Sequence, residues 1–138
     1  MSDDEVLGCR IVTLVTRGDA RGSLVAVEGG RDTPFAIARA YYVFATQPGV
    51  ERGLHAHRRC RQLAVSVAGR CTMTLDDGHE RRMVVLDDPA RGLLIEPMVW
   101  HKMTDFSPDN ILLVLADMGY DETDYMREYD EFRTLARG

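Results

Sequence analysis

Glu51-Arg52-Gly53-Leu54-His55-Ala56-His57 sets two of the chain's four histidines one residue apart, directly behind an Arg-Gly pair. Residues i and i+2 of an extended strand point to the same side of a sheet. If this stretch is a strand, His55 and His57 share a face, and the apolar run Leu63–Val67 behind it has strand length rather than helix length. Whether that face is an interior depends on what the flanking segments are.

Working outward, the flanks also read as strands. Upstream lie Arg10–Thr16, Ser23–Glu28 and Phe35–Ala45, separated by R-G-D-A-R-G and G-G-R-D-T-P turns. Downstream of Leu54–Val67 come Cys71–Leu75, Arg81–Leu86, Leu93–Glu96, Val99–Phe106 and Ile111–Ala116, with Asp76-Asp77-Gly78 as a hairpin signal. About nine short strands at roughly 8–12-residue spacing are the signature of an all-β sandwich or barrel. Closing them into a double-sheet jelly roll removes most strand edges, and small barrels of this kind hold one ligand in the mouth. Only the end reads as helix: Asp121–Asp124 offers caps, and Tyr125, Tyr129, Phe132 and Leu135 fall at helical spacing. With 138 residues, no linker and no repeat, the expectation is one domain over 1–138.

Composition narrows the function. A net charge of −5 argues against nucleic-acid and membrane-surface binding, which need a basic footprint. No apolar run reaches membrane-spanning length, and the acidic start M-S-D-D-E-V lacks signal-peptide features, so a cytoplasmic location is expected. Cys9, Cys60 and Cys71 form no CxxC pair and read as reduced thiols. Lys102 is the single lysine; every other basic residue is Arg, the better fork for phosphate, although a GC-rich genome produces the same bias.

Three readings of the histidine pair compete. H-x-H on a barrel strand is similar to the start of a cupin-type metal site, and His101, after P-M-V-W, supplies a third imidazole. The place where such sites carry Glu holds Gln62, a poor ligand. A proton-transfer site needs a base near working pH, a group to polarise a carbonyl and groups to hold the substrate. Arg52, with Gly53 allowing close backbone approach, and Arg39 and Tyr41, alternating on the preceding strand, supply candidates. The third reading leaves both histidines solvated on a strand face, as His79 in its D-D-G-H turn is expected to be.

R-A-Y-Y-V-F (Arg39–Phe44), E-R-G-L-H-A-H, L-D-D-G (Leu75–Gly78), P-M-V-W-H-K-M (Pro97–Met103) and Y-D-E-T-D-Y-M-R-E-Y-D-E-F (Tyr120–Phe132) occur in that order. The series resembles the sugar 3,4-ketoisomerases acting on dTDP-4-keto-6-deoxyglucose, a cupin family, from about Arg21 to Phe132. The resemblance implies a cupin-type jelly-roll homodimer, a dTDP-linked keto-deoxy sugar as ligand and an isomerisation with no metal and no cofactor. It makes His55 the general base and His57 a second active-site histidine, and it brings Tyr41 and Arg52 to the substrate. Arg39 is added from strand parity. Arg61 and Arg21 are further candidates for the diphosphate, and Trp100 for stacking. His101 with Arg21 resembles the enzymes giving the galacto product, which supply 3-amino-3,6-dideoxygalactose, a sugar of lipopolysaccharide O-antigen. The tail from Tyr120 to Phe132 reads as an amphipathic segment packing Tyr125, Tyr129 and Phe132 on the barrel wall.

Other functions remain open at this point. A metal-dependent cupin enzyme would carry stoichiometric metal. A non-catalytic dTDP-sugar-binding cupin would bind without exchanging carbon-bound protons. The related 3,5-epimerases abstract a proton beside the same ketone but have longer chains with different flanking motifs.

Overall fold

Alternating apolar and polar residues along the chain become two antiparallel sheets facing each other. The computed structural model describes residues 5–138. One sheet has six strands in the order β1 (Glu5–Val6), β2 (Cys9–Thr13), β10 (Arg91–Ile95), β7 (Gln62–Ala68), β12 (Ile111–Ala116) and β5 (Arg39–Phe44). The other has five: β13 (Tyr125–Met126), β6 (Arg52–His57), β11 (Trp100–Thr104), β8 (Cys71–Asp76) and β9 (Arg81–Leu86). β3 (Thr16–Asp19) and β4 (Gly22–Val25) form a separate hairpin. Among the described residues the two large sheets share no ladder. The expected closure is therefore made by side-chain packing between sheets rather than by a continuous ring of hydrogen bonds.

The filling follows the two-residue period. Ala64, Leu93, Ile95, Leu112 and Val114 of the six-stranded sheet meet Cys71, Met73, Leu75, Val84, Leu86 and Met103 of the other. Residues of opposite parity form a second cluster on the outer face of the six-stranded sheet. There Leu63, Val65, Leu94 and Leu115 lie under Leu14, Phe35, Val25, Val27 and Ile37. The chain thus covers much of this second apolar face with its own residues 14–37, which explains strands that are apolar on both sides. A third cluster sits on the outer face of the five-stranded sheet, where helix α1 (Tyr129–Arg137) seals Ala56, Trp100 and Met126 with Phe132.

Several boundaries differ from the sequence reading. Leu54–Val67 is two strands in different sheets, broken at residues 58–61, where Asp117 and Asp124 capture the amide hydrogens of Arg59, Cys60 and Arg61. The R-G-D-A-R-G segment is a hairpin of its own rather than a plain turn, with Arg21 at its tip. Phe35 leaves the strand pattern and packs into the outer cluster. At the C-terminus, Asp121 caps only a 3-10 turn, Glu122–Asp124, and Tyr125 belongs to a strand beside β6. The wall helix therefore begins at Tyr129, with Phe132 fully buried and Leu135 49% exposed. Among the described residues no helix is long and apolar enough to cross a membrane.

Phe132 is fully buried and packs on Trp100, 5.7 Å away centroid to centroid. Phe132→Ala is expected to cost about 3–5 kcal/mol. Chemical denaturation followed by Trp100 fluorescence measures this loss, and a change within error of zero would show that α1 does not seal this face.

Candidate active site

The central strands of the five-stranded sheet place the histidines together. His55 on β6 is the register partner of His101 on β11, and His57 pairs with Tyr125 on β13. Parity alone would put Arg52, three residues before His55, on the opposite face. A β-bulge removes that conflict. The register passes from His101↔His55 to Lys102↔Gly53 and Met103↔Arg52, skipping Leu54. Gly53 and Leu54 both have positive φ, 84° and 60°. The extra residue turns Arg52 back to the side of His55. Only Gly fits at 53, because an added Cβ would meet the His101 carbonyl oxygen at 3.0 Å and the Met103 sulfur at 3.2 Å.

The three imidazoles form a cluster. Ring centroids lie 5.0 Å apart for His55–His57, 4.7 Å for His55–His101 and 6.0 Å for His57–His101. Each ring anchors one nitrogen: Nδ1 of His55 on the Gly53 carbonyl at 3.0 Å, Nδ1 of His101 on the Val99 carbonyl at 3.2 Å, and Nδ1 of His57 on the Asp124 carboxylate at 2.9 Å. The acceptors assign the proton to Nδ1 in all three rings, so each Nε2 carries a lone pair. The Nε2 of His57 is buried and has no partner. Asp124 is itself held by the amide hydrogens of Arg59 and Cys60.

Burial keeps the cluster uncharged. It pushes the His55 pKa down to about 4, with His57 adding to the effect, and that of His101 to about 3, with His55 adding. Burial also lowers His57 and outweighs the opposing pull of Asp124. Burial opposes ionisation of Asp124, but the bonds from His57 and the two backbone amides prevail and hold its carboxyl below the ordinary range. Burial raises the Tyr41 phenol. Gln62, fully buried, directs its amide NH2 to the Tyr41 oxygen at 3.2 Å, which leaves the phenol proton free for another acceptor.

A cavity of about 300 Å³ opens beside the cluster, lined by Arg39, Tyr41, Arg52, His55, Met103 and Tyr125 among others. His57 and His101 stand behind His55, both nearly inaccessible. A larger hollow of about 590 Å³ on the outer face of the same sheet contains no histidine. The structure places the remaining candidates outside the lining of this cavity. Arg61 is forked onto Glu96 at 2.8 and 3.0 Å and lies over Phe35, away from the cavity. Trp100 packs beneath α1 against Tyr129 and Phe132 as a wall residue. Arg21 pairs with Asp19, and its side chain is 89% exposed at the hairpin tip. His79 is exposed, as expected. Sequence reasoning missed Asp124 and Tyr125, which it assigned to a packing tail. Tyr125 has its ring 4.9 Å from His55 and 4.5 Å from His57, with the Arg127 guanidinium over it at 4.3 Å. No local signal marks these two, because their place depends on β13 pairing with a strand far back in the chain.

Residues 7–137 match the family described as FdtA: WxcM-like, C-terminal. The chain belongs to this family. It is 50% identical over 115 residues, 83% of each chain, to the TDP-4-oxo-6-deoxy-alpha-D-glucose-3,4-oxoisomerase of Aneurinibacillus thermoaerophilus. Its fold superposes on the WlaRB TDP-quinovose 3,4-ketoisomerase of Campylobacter jejuni with a TM-score of 0.89 and 40% identity, covering 94% of this chain and 99% of that one. It also superposes on a mutant of the 3,4-ketoisomerase QdtA of Thermoanaerobacterium thermosaccharolyticum in complex with TDP-4-keto-6-deoxyglucose. There the TM-score is 0.94 with 34% identity, and 96% of each chain is covered. As a member of the FdtA/WxcM-like family the protein is an isomerase with the all-β cupin fold of these ketoisomerases.

Two outcomes follow from this geometry. Gly53→Ala, forced to positive φ against the His101 carbonyl, is expected to cost about 1–3 kcal/mol and to weaken ligand binding. Denaturation together with a binding titration measures both, and unchanged values would show the bulge to be dispensable. Stability should also depend on pH. An unfolded histidine takes up a proton near pH 6.5, whereas folded His55 and His101 wait until about 4 and about 3. The unfolded chain binds more protons in that window, so stability is full above about pH 6.5 and falls as the pH drops toward 4. A urea midpoint no lower at about pH 5 than at about pH 7.5 would contradict three neutral histidines.

Proposed function

We propose that the protein is a 3,4-ketoisomerase that converts dTDP-4-keto-6-deoxy-D-glucose to a dTDP-3-keto-6-deoxyhexose. The observation that carries this reading is a cavity presenting one neutral imidazole, His55, beside Tyr41, Arg39 and Arg52. The names of the relatives support the substrate class. The arginines supply cationic forks toward a diphosphate.

The chemistry follows from the ketone. The 4-keto group acidifies the C-3 proton, and the His55 Nε2 lone pair accepts it. The C-3–H bond breaks, and its electron pair forms the C-3=C-4 double bond of an enediolate. A proton shifts from O-3 to O-4. The double bond then collapses to a C-3 ketone as a proton is delivered to C-4. Tyr41, freed by Gln62 to donate its phenol proton, and Arg52 stabilise the charge that develops on oxygen. His57, held by Asp124, is the second active-site histidine. A conjugate acid near pKa 4 makes His55 a weak base in the free protein. An anionic sugar nucleotide beside it raises its basicity toward the working range. Electrons move only between neighbouring carbons, so the reaction calls for no redox cofactor.

The galacto product is our reading of the stereochemistry, supported by His101 standing 4.7 Å from His55. Such a product would feed the making of 3-amino-3,6-dideoxy sugars. Residues 1–138 would act as one unit. We also read the protein as a homodimer: Tyr42, Phe44, Val67 and Ile111 form an exposed apolar stretch continuing the outer face of the six-stranded sheet. Three free cysteines support a cytoplasmic location.

The test is incubation with dTDP-4-keto-6-deoxyglucose and chelator in deuterated water, followed by proton NMR. A 3-keto product carrying deuterium at C-4 is expected, with its C-4 coupling separating galacto from gluco. His55→Asn should abolish both product and exchange, and Tyr41→Phe should lower kcat by about 10²–10³. Exchange that survives in His55→Asn would assign the base elsewhere, and no exchange in the native chain would refute the isomerase.

A further inference from the structure

Removing a proton from C-3 is half of the reaction; the other half needs a donor at C-4. In the sugar chair, H-3 of the gluco-configured 4-keto substrate and H-4 of a galacto product lie on the same face of the ring. H-4 of a gluco product lies on the opposite face. One group on one face can therefore serve both carbons only if the product is galacto. Among the described residues lining the cavity, His55 is the only histidine. His57 and His101, 2% and 3% exposed, stand behind it and do not reach the sugar. One nitrogen from each of the three rings lies within 4.8 Å of the others. Each Nδ1 is committed to an oxygen outside the cluster, so the nitrogens left free are the three Nε2. That of His57 is buried with no hydrogen-bond partner. A buried acceptor left unpaired is costly, and it calls for a functional account.

We propose that His55 returns to C-4 the proton it takes from C-3, on one face of the sugar, and that His57 with Asp124 holds that proton on His55 between the two events. This assignment rests on the isomerase reading and names the donor its second half needs. In the first half the C-3–H bond breaks, its electron pair enters the enediolate, and an N–H bond forms at His55 Nε2. In the second half the N–H bond breaks, the enediolate electrons take the proton at C-4, and the C-3 ketone forms. His55 ends neutral, so no oxidant, reductant or outside proton is consumed. Between the halves His55 is a cation. Arg39 and Arg52 in the cavity oppose that charge, and so does Arg127 over Tyr125, although Glu122 is paired with Arg127. His57 offsets them: its free lone pair lies inside the cluster, and the Asp124 carboxylate stands 2.9 Å behind its other nitrogen. That lone pair stays on Nε2 only while Asp124 accepts from Nδ1. His57 and Asp124 are thus positioning residues that act through His55. Tyr41 is otherwise employed, because its phenol proton serves an oxygen of the enediolate.

The test takes dTDP-4-keto-6-deoxyglucose carrying deuterium at C-3 through a single turnover in ordinary water and measures deuterium at C-4 of the product. A galacto product is expected, with deuterium at C-4 well above the solvent background. Over many reversible turnovers the proton on His55 exchanges, so the isotope of the water still reaches C-4 in a long incubation. Asp124→Asn and His57→Asn should lower the transferred fraction and lower kcat at least about tenfold, with KM within about twofold of the native value. His79→Ala, which removes only a surface histidine, should change neither. Without any turnover, nitrogen-15 spectra of the histidine-labelled native protein at about pH 7.5 should show His57 protonated on Nδ1 and bare at Nε2. A gluco product, or a galacto product without deuterium at C-4, overturns the return by His55. A His57 protonated on Nε2, or folded variants that transfer deuterium as the native chain does, overturns the holding role. A native chain that makes no product refutes the isomerase reading and the proton return with it, while the spectra still decide the state of His57.

Discussion

The contact on which the site depends is the buried bond from His57 Nδ1 to Asp124, 2.9 Å long, with both side chains 2% exposed. Asp124 is one acceptor for three donors, since the amides of Arg59 and Cys60 also end on its carboxylate. A buried carboxylate without such partners would be costly. With them it ties three parts of the chain together: the end of β6, the loop leading to β7 and the C-terminal segment. It also sets the tautomer of His57. The Nε2 that results is buried and has no hydrogen-bond partner.

A second constraint acts at the start of the same strand. Strict alternation would divide Arg52 from His55, yet the cavity needs both. The Gly53–Leu54 bulge spends one residue to reconcile them, pushing Leu54 out, where it is 41% exposed. The close approach of the His101 carbonyl to Gly53 shows how tightly β11 fits against this irregularity. The two departures from regular sheet geometry, at Gly53–Leu54 and at residues 58–61, bracket the histidine pair.

The electrostatic character of the cavity follows from what is buried and what is not. Burial favours the neutral form of the histidines, while Arg39 and Arg52 bring guanidinium groups to the same cavity. The result is an uncharged reactive centre under a positive mouth, inside a chain whose net charge is −5. Global charge and local field have opposite signs, and the local field is the one an anionic ligand meets on entering. Neutral imidazoles are also free to accept a proton.

Much was legible in the sequence because the signals involved are local. Two-residue alternation and turn residues at regular spacing specify strands wherever they occur, so the all-β architecture and most strand positions could be read directly. The H-A-H spacing likewise placed His55 and His57 on one face, since period two is a property of extended backbone and needs no partner. What could not be read were relations between distant segments. Asp124 and Tyr125 look like tail residues until β13 pairs with β6, and a one-residue change in that register would point them elsewhere. The pairing of Arg61 with Glu96 and the packing of Trp100 beneath α1 were likewise invisible in the sequence. Arg52 reached the cavity only through a bulge whose register is defined by β11. The sequence by itself determined the strands and which residues share a strand face, because backbone geometry imposes both. Only the tertiary structure decided which charges are paired, which histidines are dry and which tail residues join the site, because those depend on pairing across the chain.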